Sequence, residues 1–70
     1  MIRLHKLSHD REPFHLNPDL IATVDAHPDT MLHLTTGARI AVAETVDEVV
    51  AKAHDWRVQI AAGALRLVKP

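Results

Sequence analysis

Met31-Leu32-His33-Leu34-Thr35-Thr36-Gly37-Ala38-Arg39-Ile40-Ala41-Val42-Ala43-Glu44-Thr45-Val46-Asp47-Glu48-Val49-Val50 contains the change of period that decides the fold. Met31 to Thr35 alternates apolar and polar side chains, the period of a half-buried strand. Thr36-Gly37 supplies the flexible corner of a short hairpin, and Arg39 to Ala43 forms the strand that returns from it. The period then lengthens at Thr45-Val46-Asp47-Glu48. This is the pattern of a capping box, in which the Thr45 hydroxyl accepts from the third helical N–H while Glu48 reaches back to the Thr45 N–H. Acidic residues in the first turn also complement the helix dipole. From there Val46, Val49, Ala53, Trp56, Ile60, Gly63 and Leu67 recur at spacings of three and four, an apolar seam along a helix over 46–67.

Upstream, Ile2 to Leu7 alternates with Ile2 and Leu4 on one face and Arg3 and His5 on the other. Ser8 to Pro13 is a polar loop, and Phe14 to Asn17 resumes the alternation. Asn17-Pro18-Asp19 is a turn, because its short polar side chains bond local backbone and proline presets φ. Leu20 to Ala26 reads as a third strand with Leu20, Ala22 and Val24 on one face. Ile21 falls on the other, which points to a strand covered on both sides or to a bulge. His27-Pro28-Asp29-Thr30 places proline at the second position of a type I turn. The fold class that follows is α+β: one domain over 1–70, with an open, strongly bent antiparallel meander of five short strands within 2–43, closed by one C-terminal helix.

The helix is longer than the sheet can cover. About twenty helical residues span roughly 30 Å, against about 17 Å for a five-residue strand. The seam from Trp56 to Leu67 therefore overhangs. Trp56, Ile60, Leu65 and Leu67 are the candidate surface for self-association or for a protein partner.

Composition narrows the function. Eight Lys and Arg stand against nine Asp and Glu, a net charge of −1 with neutral histidines, and the basic residues are scattered. A protein that grips phosphates clusters its basic residues, so nucleic acid is a disfavoured partner. There is no cysteine, which removes disulfides and thiolate metal sites and fits a reducing compartment. The N-terminus alternates from its first residues instead of following the order of a secretion signal, and no stretch approaches the roughly 20 apolar residues of a membrane span. The expected location is cytoplasmic.

These pieces together resemble the small flagellar proteins of the FlbD type, also called SwrD swarming motility proteins. The likeness rests on Met1-Ile2-Arg3-Leu4, on Phe14-His15-Leu16-Asn17-Pro18-Asp19-Leu20-Ile21, on Pro28-Asp29-Thr30, on Leu34-Thr35-Thr36-Gly37 and on Val46-Asp47-Glu48-Val49. It covers roughly the first fifty-five residues, and the pairing of Asn17–Ile21 with Pro28–Thr30 is its most specific part. The resemblance implies a cytosolic, non-enzymatic accessory of flagellar motility, on the cytoplasmic side of the motor and bound to a motor component. In this chain the first hairpin loop is longer and carries His9, and the final helix is richer in alanine and less charged than the family's usual version.

His5, His15 and His33 fall on the strand face opposite the apolar one and would converge as zinc ligands only with a suitable strand order; their spacing matches no ligand motif, so they read as packed or solvent-facing. Asp25, His27 and Asp29 could pair as acid and base, but carboxylates beside proline are read as turn formers. Gly37 and Gly63 are too far apart for a phosphate loop, and Ser8 is the only serine. The chain is thus read as a non-enzyme without cofactor or metal. Asn17, Pro18 and Asp19 are the family-motif turn, Gly37 the hairpin corner, and Thr45 and Glu48 the helix cap. Two other readings compete. Carbon-storage regulators, which bind RNA, share this length and element order, but Arg3, Lys6, Arg11 and Arg39 are diluted here by acidic neighbours. An amphipathic segment with Arg57, Arg66 and Lys69 at lipid head groups is weakened by Asp55.

Overall fold

Ile2 and Leu4 need a partner strand with apolar residues at the same alternation, and Phe14 and Leu16 supply it. In the computed structural model β1 (Ile2–His5) pairs antiparallel with β2 (Pro13–Leu16), setting Ile2 opposite Leu16 and Leu4 opposite Phe14. Residues 1–68 are described, with side chains through Ala61. A 3₁₀ turn, Pro18–Leu20, leads into β3 (Ile21–Ala26), β4 (Thr30–Leu34) and β5 (Arg39–Val42), which pair consecutively and antiparallel. α1 (Val46–Val68) follows. The expected class and element order are those observed.

The meander is interrupted between β2 and β3, and the two groups of strands meet elsewhere. Past the end of β1, Lys6 bridges Val42, the Leu7 N–H donates to the Ala41 carbonyl at 3.1 Å, and the Ala43 N–H donates to the His5 carbonyl at 2.8 Å. The first and last strands are thereby joined. One core results, made of Ile2, Leu4, Leu16, Leu32, Val42 and Val49, with Phe14, Ile21, Val24, Leu34, Ile40 and Trp56 packed around it.

The register of β3 slips between Ile21 and Thr23. This bulge resolves the clash of faces in the sequence, since one extra residue turns both Ile21 and Val24 toward the core. Leu20, expected to share a face with Val24, instead ends the 3₁₀ turn and is exposed. The His27–Pro28 peptide between β3 and β4 is cis. Gly37, in the corner between β4 and β5, has φ of +92°, a left-handed conformation that a side chain disfavours.

Candidate partner interface

The start of α1 is fixed by its own sequence. The Glu48 N–H donates to the Thr45 hydroxyl at 3.2 Å, and the Thr45 N–H donates to Glu48 Oε1 at 3.1 Å, the reciprocal box that the spacing predicts. One turn on, Val49 is buried in the core, and α1 packs on β1 and β3. Trp56 then meets the N-terminal strand across a shallow groove of about 140 Å³, bordered by Ile2, Arg3, Lys52, Asp55 and Gln59. Trp56 is half-buried and belongs to the fringe of the core.

From Arg57 to Ala61 every residue of the helix is exposed. Val58 is 54% exposed and Ile60 51%, and Val50, on the outer side, is 56% exposed. The side chains of Leu65 and Leu67, named with Trp56 and Ile60 from the sequence, lie outside the described residues. The overhang also shows in the dimensions. At 23 residues α1 is about 34 Å long, and the molecule measures 48 × 24 × 20 Å. Its radius of gyration is 13.7 Å, where a compact chain of this length has about 11 Å. It exposes 5195 Å² against about 4,400 Å² for a compact monomer of its mass.

The other sequence-named residues serve the fold. Asn17 caps the 3₁₀ turn by accepting the Asp19 N–H at 3.0 Å, Pro18 is buried, and Asp19 is exposed. The three histidines are kept apart: His5 Nδ1 lies 2.6 Å from Glu44, His33 Nε2 lies 3.0 Å from Asp25, and His15 is exposed. Among the described residues no group of three His, Cys, Asp or Glu is placed to hold a metal. Asp25 is a strand residue opposite Met31, so its expected role in a turn gives way to a cross-strand bond with His33, while His27 and Asp29 are exposed in the connection.

Glu44 is the residue that sequence reasoning missed. It is only 8% exposed, and its two oxygens accept from the His5 N–H at 2.9 Å and from the His5 ring at 2.6 Å. Burial raises its pKa, but the bonds from the His5 ring and backbone, its own backbone N–H and the charge of His5 outweigh that and hold it below the ordinary carboxylate value. A carboxylate at this distance from Nδ1 requires the proton on that nitrogen. The pair ties β1 to the segment before α1 and borders an open cleft of about 370 Å³ with Arg11, Ala43 and Glu48. A single glutamate after a strand carries no sequence signal for this role; only the pairing of β1 with the end of β5 brings His5 to it.

A family model described as flagellar and swarming motility proteins matches residues 1–61. No curated protein and no solved structure matches the chain. No helix among the described residues is long and apolar enough to cross a membrane.

Proposed function

Because the chain belongs to the FlbD family of flagellar and swarming motility proteins, we propose that it is a non-enzymatic accessory of bacterial flagellar motility, working in the cytoplasm by binding a component of the motor and by self-association. The observation that carries this is the exposure of the apolar side chains Val58 and Ile60 on α1 past Trp56. Trp56, Ile60, Leu65 and Leu67 form the docking seam in this reading, with Trp56 its anchor, a residue type enriched where interfaces concentrate their energy. The two histidine–carboxylate pairs support a non-enzymatic reading, because each ties neighbouring segments of the fold together.

The test is complementation of swarming in a strain lacking the gene. The wild-type chain restores swarming, and Ile60→Asp, which touches only an exposed side chain, leaves the fold intact but fails to restore it and no longer co-purifies with the motor. Full swarming with a folded Ile60→Asp chain contradicts the proposal.

A further inference from the structure

The hydrogen-bond parity of β1 leaves one of its edges open beside Trp56. The Lys6 N–H donates to the Glu12 carbonyl at 2.9 Å, so in the register of this hairpin Ile2 and Leu4 also bond toward β2, while Arg3 and His5 turn their backbone groups to the opposite edge. His5 is satisfied there: its carbonyl accepts the Ala43 N–H at 2.8 Å, and its N–H donates to Glu44 Oε1 at 2.9 Å. Glu44 thus stands where the next residue of an adjoining strand would bond, and the ladder with β5 stops at it. Two residues nearer the N-terminus, the Arg3 N–H and C=O point the same way and have no hydrogen-bond partner among the described residues. Beside them lies the groove of about 140 Å³ between β1 and α1, with Ile2 and Trp56 as its apolar part. Its charged border is Arg3, Lys52 and a single carboxylate, Asp55, and neither cation forms an ion pair among the described residues.

We propose that this groove takes an extended segment of a protein partner, added antiparallel to β1 at Arg3 and carrying an acidic residue between two apolar ones; this rests on the partner binding advanced above. An edge residue with both backbone groups free exchanges two bonds with one residue of an added strand. Residues opposite each other on antiparallel strands hold their side chains on the same side of the sheet, so the residue facing Arg3 sets its side chain beside the guanidinium, where a carboxylate is complementary. Lys52, on the helical wall of the groove, favours the same sign of charge. The neighbours of that residue point to the other side, the side of Ile2 and Leu4, on which α1 packs and where Trp56 joins the fringe of the core. The outer edge of β2 is a poorer template, because Pro13 has no N–H to offer there.

The probe is a short peptide, acetyl-Ser-Val-Glu-Val-Ser-amide, titrated into the isotope-labelled full chain and followed by NMR. The Arg3 amide and the Trp56 indole N–H should shift together, with a Kd of about 1 mM. Methylating the glutamate nitrogen of the peptide removes the donor to the Arg3 carbonyl and should weaken binding about tenfold. Lysine in place of that glutamate should weaken it about threefold, and Arg3→Glu, at an exposed side chain, should reverse the preference between the two peptides. No shift at Arg3 and Trp56 up to about 5 mM peptide overturns the inference, as do equal binding of the methylated peptide and an unchanged preference in Arg3→Glu. The motor reading is judged apart from it: where the peptides fail to bind but the wild-type chain still co-purifies with the motor, only this inference falls.

Discussion

Replacing Glu44 with alanine removes the acceptor of two bonds, and the loss can be worked from the geometry. The His5 N–H, 2.9 Å from Glu44 Oε1, would be left without its partner near the core, at a cost of about 1–3 kcal/mol. The bond from the ring is charge-assisted, but the His5 side chain is 40% exposed, so water competes for it and its share is about 1 kcal/mol or less. The expected loss is about 2–3 kcal/mol. A chain of 70 residues has only about 4–10 kcal/mol in total, and the melting temperature should fall by about 10–20 °C. Glu44→Gln keeps an acceptor for the His5 N–H and should lose about 1 kcal/mol. The two variants also separate by pH. Because the folded-state pKa of Glu44 is depressed, its ionisation stabilises the protein fully above the unfolded value of about 4.3, and this contribution is lost as pH falls through the folded value. Thermal melts followed by circular dichroism from pH 7 down to pH 3 should show the gap between wild type and Glu44→Gln closing below about pH 4. A Glu44→Ala protein that melts within about 2 °C of wild type at pH 7, or a gap that does not change with pH, refutes the role given to this pair.

Thr45→Ala should destabilise the protein by about 1 kcal/mol in urea unfolding, since the hydroxyl caps the Glu48 N–H; an unchanged midpoint would remove the capping box from the stability of α1. Leu32→Ala, at a side chain that is fully buried, should lose about 2–5 kcal/mol by the same measurement, and a loss under 1 would mean that the core is centred elsewhere.

The helix and the last hairpin were legible because their signals are local. A capping box, a period of three and four, and a glycine corner each act within a few residues, and all appear where the spacing puts them. The bulge in β3 was half legible: Ile21 on the wrong face signalled an irregularity, but only the slip against β4 shows that it turns Ile21 inward and leaves Leu20 outside. The joining of β1 to β5 was not legible, because hydrogen bonds between Leu7 and Ala41 and between Ala43 and His5 leave no trace in residue type. Glu44 followed it out of view. The fates of His5 and His33 were hidden for the same reason, since whether imidazoles converge depends on strand order. The length of the seam pointed to an overhang past Trp56, and among the described residues there Val58 and Ile60 are about half exposed.

Light scattering on the purified full chain, across a range of concentrations, bears on that overhang most directly. A mass of about twice 7.8 kDa or more for wild type, falling to 7.8 kDa for a folded Ile60→Asp variant, is the expected result. A wild-type mass of 7.8 kDa at every concentration would mean that the exposed end of α1 needs no second polypeptide, and the functional reading built on it would fall.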